Sequence, residues 1–276
     1  MNILFFGASS FAAQNLFNFF QKKKNIIFFG RRKIDNTNFK FFDLEKNNKL
    51  LFSNLRLKKV DYLFFFSSFV PLDESQPNWS KCSASNILGL VRILKDLKIP
   101  VKKIIFISSC SIYGNNKEIN LKEENQLFPL TDYSISKFSQ EKILTTFCQI
   151  NKIKYLFLRL GYVFGKNMNR KRIVRRVIDT KKKNKKLNIY NKNLNLNLIH
   201  TKDISNVIQR GYKIIEGVYN LTYEHKITLN DFYNKIYFNK KIKLKKNNFV
   251  NNKINIKLKN FKFSNINKII DEFKKI

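Results

Sequence analysis

Residues 2–20, "NILFFGASSFAAQNLFNFF", contain an apolar run, a turn of small residues and a helix-forming stretch in direct succession. The run 2–6 predicts a buried strand, and 11–23 predict the helix that follows it. A strand that enters a helix through a small-residue turn is typical of the first unit of a doubly wound α/β fold.

The same alternation continues outward from this unit to residue 160. Further strands are predicted at 25–30, 39–42, 61–66, 102–109 and 154–160, with helices at 46–58, 86–98 and 132–151. Short runs rich in Ile and Phe between helical segments indicate a parallel sheet covered on both faces. The sequence therefore predicts a Rossmann-type α/β fold, a doubly wound parallel sheet, with a small C-terminal substrate-binding region.

The charge of the chain is strongly positive, with 54 Lys and Arg against 19 Asp and Glu and a net charge of +35. The lysines are spread along the chain, Lys, Asn, Ile and Phe are all abundant, and no nucleic-acid motif occurs. Nucleic acid is therefore not expected as the main partner, although a basic surface favours anionic ligands.

Cysteine and histidine are sparse: Cys82, Cys110 and Cys148 are widely spaced, and the chain has 2 His. This pattern predicts reduced thiols and no metal site. The first residues indicate a strand and not a signal peptide, and no apolar run approaches the roughly 18–20 residues of a membrane span. A cytoplasmic protein without a membrane segment is expected.

The turn after the first strand is a candidate phosphate site. Backbone N–H groups at a helix start, aided by the helix dipole, bind a pyrophosphate. Gly7, Ser10, Phe11 and Ala13 are the cofactor-binding candidates here, and an ordinary strand–helix turn is the alternative. After the second strand, Arg31 and Arg32 occupy the place where a carboxylate would bind the ribose of NAD, which predicts NADP, with NAD as the alternative. A solvated basic turn would also explain this arginine pair.

Tyr133 and Lys137 are the candidate acid–base pair. The Tyr-x-x-x-Lys spacing by itself carries little weight, because it also occurs at Tyr113/Lys117, Tyr162/Lys166 and Tyr237/Lys241. Tyr133 and Lys137, however, share a face of a predicted helix that follows the strand ending at Ser109. The lysine would favour the phenolate of Tyr133, which could then exchange a proton with a carbonyl or alcohol oxygen bound by Ser109.

Several motifs in one order resemble the extended short-chain dehydrogenase/reductases, specifically the NAD(P)-dependent epimerase/dehydratase family of nucleotide-sugar enzymes. They are "NILGLVRIL" (86–94), "SSCSIYG" (108–114), "PLTDYSISK" (129–137), "RLGYVFG" (159–165), "IHTKDI" (199–204) and "GVYNLT" (217–222). With the first turn, these matches extend from residue 2 to about residue 222.

The resemblance implies roles for individual residues. Ser109, Tyr133 and Lys137 would be the catalytic triad, with Lys137 also on the nicotinamide ribose. The cofactor would meet Gly7, Ser10 and Ala13 at its pyrophosphate, Arg31 and Arg32 at its adenosine phosphate, and Asp43 at its adenine. Residues 1–165 plus 196–222 would form the NAD(P)-binding domain, and 166–195 plus 223–276 the substrate-binding region. A homodimer through the helices near Asn86 and Tyr133 is also implied.

The departures from the family pattern reduce the number of reactions expected of the chain. Family 4,6-dehydratases carry Asp-Glu after the hydroxyl residue, whereas Cys110-Ser111 stand here, which disfavours dehydration. Cys110 is expected to be a buried structural thiol. An arginine for the substrate diphosphate is missing before "IHTKDI"; Arg170 is the substrate-binding candidate, with Arg172, Arg175 and Arg176 as alternatives.

Three functions are therefore consistent with the sequence. NADPH-dependent reduction of a nucleotide-linked keto sugar is favoured by Arg31 and Arg32 and by a C-terminal region that is short for the family. The alternative is an NAD-dependent nucleotide-sugar 4-epimerase, which would retain its cofactor through turnover. A non-catalytic NAD(P)-binding sensor or scaffold is an alternative of another class.

Overall fold

A computed structural model gives the structure of the chain. It describes residues 1–23, 25–46, 52, 55–72, 76–114, 121–189, 191–242, 244–246, 257–258 and 261–274.

The centre of the molecule is a seven-stranded, entirely parallel sheet, as the sequence predicts. In chain order the strands of the protein are β1 (Ile3–Phe6), β2 (Ile26–Gly30), β3 (Phe39–Phe41), β4 (Val60–Phe65), β5 (Val101–Ser109), β6 (Lys154–Leu160), β7 (Tyr162–Phe164), β8 (Asn195–Leu196), β9 (Leu198–His200), β10 (Gly217–Leu221), β11 (His225–Thr228) and β12 (Lys245–Lys246). The sheet has the order β3-β2-β1-β4-β5-β6-β10. The order reverses between β1 and β4, which opens a crevice at their carboxyl ends.

Helices cover both faces of this sheet. They are α1 (Gln14–Phe20), α2 (Trp79–Lys81), α3 (Gly89–Asp96), α4 (Asp132–Ile150), α5 (Ile173–Lys182), α6 (Thr201–Gly211), α7 (Leu229–Phe238) and α8 (Ile266–Lys274). A 3-10 turn precedes α1 at Phe11–Ala13, and a π-helical stretch, Cys82–Leu88, joins α2 to α3.

Alternating phenylalanines in the strands build two cores, one on each face. On one face Phe5 stacks on Phe64 at a centroid distance of 5.2 Å, beneath α1 and α6. On the other face Phe6 stacks on Phe29 at 4.4 Å, in the core that includes residues of α3 and α4. All four rings are fully buried, and such burial contributes about 1.5–3 kcal/mol for each side chain. The interior strands β1, β2 and β4 are thereby held in fixed positions relative to the helices.

The C-terminal part adds small sheets of its own. Strands β8, β11 and β12 form an antiparallel sheet, and β7 pairs with β9. The division into an NAD(P)-binding domain and a substrate-binding region stays a prediction.

Two sequence-based expectations about helices need correction. The helix predicted at 86–98 begins earlier, at α2, and passes through the π-helical stretch before α3 ends at Asp96. Most of the helix predicted at 46–58 lies outside the described residues, and the described residues 55–58 are not helical.

Candidate active site

The turn after β1 crosses the end of β4 at very short range, and Gly7 makes this crossing possible. Its φ is +80°, and a Cβ at this position would lie 2.6 Å from both the carbonyl carbon of Phe66 and the nitrogen of Ser67. A side chain is therefore excluded by backbone contacts and by conformation.

The same turn offers groups that fit a phosphate. The Ser10 N–H donates to Gly7 O at 2.9 Å, and the Ala13 N–H donates to Ser10 O at 3.1 Å, so both groups are bonded within the turn. The N–H groups of Phe11 and Ala12 have no acceptor among the described residues. The Ser10 hydroxyl is shielded from solvent and also lacks a partner within the described part of the chain. A pyrophosphate oxygen at this turn would supply the missing acceptors, so the residues fit a dinucleotide.

The end of the crevice near β2 and β3, where the sequence resemblance implies the adenosine, is basic. Arg31 and Arg32 follow β2 directly and are exposed, and neither makes an ion pair or hydrogen bond with a described residue. Asp43, after β3, is half-buried and accepts the N–H of Glu45 at 3.1 Å. Both guanidinium groups are therefore available to an anionic ligand, and Asp43 sits at the adjoining strand end.

The first turn of α4 carries Tyr133, and a reciprocal cap fixes where this helix begins. Thr131 Oγ1 accepts the Ser134 N–H at 3.1 Å, and Ser134 Oγ accepts the Thr131 N–H at 2.8 Å. This capping box starts the helix at Asp132, so Tyr133 and Lys137 lie on successive turns. Tyr133 retains 9% of its accessible surface.

Lys137 is buried in mixed apolar and polar surroundings. Its Nζ lies 4.3 Å from the ring centroid of Phe106 on β5 and donates to Gln140 Oε1 at 2.9 Å. Burial lowers the pKa of Lys137 to about 7, and the nearby Glu141 carboxylate opposes this shift only in part. A lysine with such a pKa changes its charge near neutrality.

Ser109 ends β5, the strand against which α4 packs. Its Oγ accepts the Ser111 N–H at 3.1 Å and shares a hydrogen bond with Ser111 Oγ at 2.9 Å. The fold thus brings Ser109, Tyr133 and Lys137 to one region, where β5 ends and α4 begins. This region borders the crevice formed at the ends of β1 and β4.

Asn86, which the sequence presented as part of a motif and as the start of a helix, supports this region. Its fully buried side chain accepts the Phe69 N–H at 2.7 Å and donates to Phe69 O at 3.0 Å. It also donates to Ser136 Oγ on α4 at 2.9 Å. A lone asparagine at the start of an apolar helix was the available signal. Asn86 ties the chain beyond β4 to the helix of Tyr133.

Two other sequence candidates differ in their surroundings. Arg170 is exposed before α5 and contacts no described residue through an ion pair or hydrogen bond. Cys110 is buried and its Sγ donates to Arg159 O at 3.1 Å, which confirms the expected structural thiol. Burial raises the pKa of Cys110 far above its ordinary value, which disfavours the thiolate that reactive cysteines use.

The described residues contain neither a cluster of metal-ligating side chains nor a helix of membrane-spanning character. No group of three or more His, Cys, Asp or Glu among them could hold a metal ion. No helix in the described part of the chain is long and apolar enough to cross a membrane.

A family model identifies the chain. The model of the NAD dependent epimerase/dehydratase family matches residues 3–213, which include every strand of the seven-stranded sheet except β10. The chain belongs to this family. This confirms the resemblance inferred from the motifs, and it makes the protein an epimerase/dehydratase-type member of the extended short-chain dehydrogenase/reductases.

The chain aligns with its curated relatives over only part of their length. A dTDP-D-glucose 4,6-dehydratase of Dictyostelium discoideum is 27% identical over 187 residues, 62% of this chain and 43% of that protein. A UDP-glucose 4-epimerase of Lacticaseibacillus casei is 30% identical over 101 residues, 36% of this chain and 30% of that protein. The chain thus spans less than half the length of these relatives.

Solved structures agree on the fold over nearly the whole chain. A mutant of the UDP-glucuronic acid 4-epimerase of Bacillus cereus, in complex with UDP-4-deoxy-4-fluoro-glucuronic acid and NAD, superposes with a TM-score of 0.82 at 18% identity, covering 100% of this chain and 99% of that one. A UDP-glucose 4-epimerase of Thermotoga maritima with UDP-glucose gives 0.76 at 21% identity, covering 87% and 84%. The chain therefore shares its fold with these two structures over most of its length.

Proposed function

We propose that this family member is a nucleotide-sugar 4-epimerase that works with a retained NAD cofactor. The observation that carries the proposal is the placement of Ser109, Tyr133 and Lys137 at one end of β5 and α4. The 4-epimerases among the structural neighbours support the choice of reaction. Dehydration lacks support, because Cys110 is a buried thiol and no carboxylate follows Ser109.

The chain's own residues would hold the ligands and move the proton. The turn at Ser10 and Phe11 would hold the pyrophosphate, and Lys137 the nicotinamide ribose. A bound nicotinamide supplies reversible hydride transfer. Tyr133 would accept the proton of the sugar hydroxyl and return it to the ketone oxygen, while the Ser109 hydroxyl holds that oxygen by a hydrogen bond. In its charged form Lys137 would favour the phenolate of Tyr133.

NADPH-dependent reduction of a keto sugar is the second candidate. Its support is the pair Arg31 and Arg32, two exposed guanidinium groups without described partners where a 2′-phosphate would lie.

We also propose a cytoplasmic location and homodimerisation, and Arg170 as a substrate contact. The non-catalytic sensor is the third possibility. The proposed nucleotide-sugar substrate is anionic, which suits the basic surface.

Cofactor retention separates these functions. The purified chain would be denatured and any released dinucleotide identified, and the native chain would be titrated with NADH and NADPH. It would then be incubated with UDP-glucose and with UDP-glucuronic acid without added cofactor. Retained NAD together with 4-epimer formation is the expected result.

Other outcomes would redirect the assignment. Reversible binding that favours NADPH, weakened by Arg31→Ala/Arg32→Ala, together with NADPH oxidation by a nucleotide-linked 4-keto sugar would support the reductase instead. Cofactor binding without any turnover would support the sensor. Tyr133→Phe is the catalytic control: it should bind cofactor normally and lose epimerisation, and unchanged turnover would exclude Tyr133 as the proton carrier.

A further inference from the structure

A buried ion pair lies directly behind the proposed active site. Arg159 on β6 and Glu141 on α4 retain 5% and 7% of their side-chain surface. Arg159 Nη2 donates to Glu141 Oε1 at 2.5 Å, and its Nε lies 3.2 Å from each carboxylate oxygen. Such fork-like contacts fix orientation as well as distance. The pair therefore sets how α4 sits on β6.

The carboxylate also reaches the strand that carries Ser109. Ser108 Oγ donates to Glu141 Oε2 at 2.8 Å, and Ser108 pairs in register with Arg159 across β5 and β6. On α4, Glu141 lies one turn beyond Lys137, on the same face. The Glu141 carboxylate is thus hydrogen-bonded to Ser108, the neighbour of Ser109, and Glu141 belongs to the same helix as Lys137 and Tyr133.

The Arg159 guanidinium extends these hydrogen bonds to β10 and to the chain that precedes α4. Arg159 Nη1 donates to Tyr113 OH at 2.7 Å and to Glu123 O at 2.9 Å. Tyr113 OH donates to Asn220 Oδ1 on β10 at 2.8 Å, and Asn220 N donates to Glu123 Oε1 at 2.9 Å. The network therefore joins β5, β6, β10, α4 and the chain that leads into α4.

We propose that Glu141 and Arg159 are positioning residues, which hold Ser109 on β5 in catalytic alignment with Tyr133 and Lys137 on α4. This inference rests on the proposed function. Neither residue needs to contact the substrate, because Glu141 acts through Ser108 and through the backbone of α4. Apolar side chains could fill the same space and retain stability, but they would not specify the direction in which helix and strand meet.

The test separates alignment from stability. Glu141→Leu/Arg159→Met replaces the pair by apolar side chains of similar size, and Ser108→Ala removes only the link to β5. The control is Glu216→Gln, which breaks the exposed pair of Lys154 and Glu216 at 2.7 Å. For each variant, the urea midpoint, the dinucleotide Kd, kcat, KM and the phenolate titration of Tyr133 by ultraviolet difference against Tyr133→Phe would be measured.

We expect the double variant to fold and to bind dinucleotide, with kcat reduced roughly tenfold to a hundredfold and KM little changed. Its Tyr133 phenolate should form at higher pH than in the parent chain. Ser108→Ala should lower kcat several-fold at an unchanged urea midpoint, and Glu216→Gln should change nothing.

Unchanged kcat in a folded double variant and in Ser108→Ala would overturn the positioning role and leave the proposed function intact. If the double variant does not fold, Ser108→Ala decides alone. An absence of turnover in the parent chain would refute the proposed function and the positioning role together.

Discussion

Replacing Lys137 by methionine should make the protein more stable at neutral pH. The amine retains 2% of its surface, and burial lowers its pKa from 10.5 to about 7. Each pH unit of that difference corresponds to about 1.4 kcal/mol, so the buried amine costs about 5 kcal/mol of folding free energy at pH 7. Methionine removes this cost but leaves Gln140 without its hydrogen bond, a loss of about 1–3 kcal/mol. A net gain of about 2–4 kcal/mol is expected.

The pH dependence gives the prediction its sign. Between pH 7 and 10.5 the unfolded chain binds a proton at Lys137 that the folded chain does not, so the stability of the parent chain rises with pH. The advantage of Lys137→Met should therefore be complete at and below pH 7 and disappear as the pH approaches 10.5.

Urea unfolding at a series of pH values measures this difference. Lys142→Met is the matched control, because Lys142 is an exposed lysine on the same helix. The control should change stability little and without a trend in this pH window. A Lys137→Met variant that is less stable than the parent chain by an amount independent of pH would refute the argument. Under the proposed function the variant should also lose turnover, which would show stability given up for activity.

Three further predictions concern a glycine turn, a buried histidine and the buried cysteines. Gly7→Ala should cost about 2–5 kcal/mol in urea unfolding because of its φ of +80° and its 2.6 Å backbone contacts. The cost should exceed that of Gly217→Ala, because Gly217 also has a positive φ, of +113°, but a Cβ there would meet nothing closer than 3.7 Å; equal costs would contradict the role of the contacts. Burial lowers the pKa of His200 to about 4, so as the pH falls the unfolded chain binds a proton at this histidine before the folded chain does. The free energy of unfolding should therefore drop by about 3 kcal/mol between pH 6.5 and 4. His200→Asn should reduce that slope, whereas His225→Gln, which changes the other histidine, should not. Cys82, Cys110 and Cys148 are buried, and burial raises the pKa of Cys148 to about 12, so a thiol reagent should label the unfolded chain and not the native one; rapid native labelling would show an accessible thiol.

Local patterns in the sequence determined the parallel sheet and the places of the site residues. Apolar runs of strand length and helical segments follow one another from β1 to β6, and that order by itself selects the doubly wound fold. Because strands of a parallel sheet end at one edge, residues placed just after β1, β2 and β5 had to meet there. The capping pair of Thr131 and Ser134 next to Tyr133, by contrast, was established by the reciprocal hydrogen bonds in the structure.

The burial of charge was decided by the tertiary structure alone. Glu141 and Arg159 are 18 residues apart, and Tyr113 and Asn220 are 107 apart, so no local pattern could pair them. Glu141 resembles any acidic residue on a helix until β6 places a guanidinium against it. The depressed pKa of Lys137 likewise depends on Phe106 and on the cover of the surrounding core. Sequence periodicity specifies which residues face inward, whereas the energy of a charge depends on what the rest of the chain places around it.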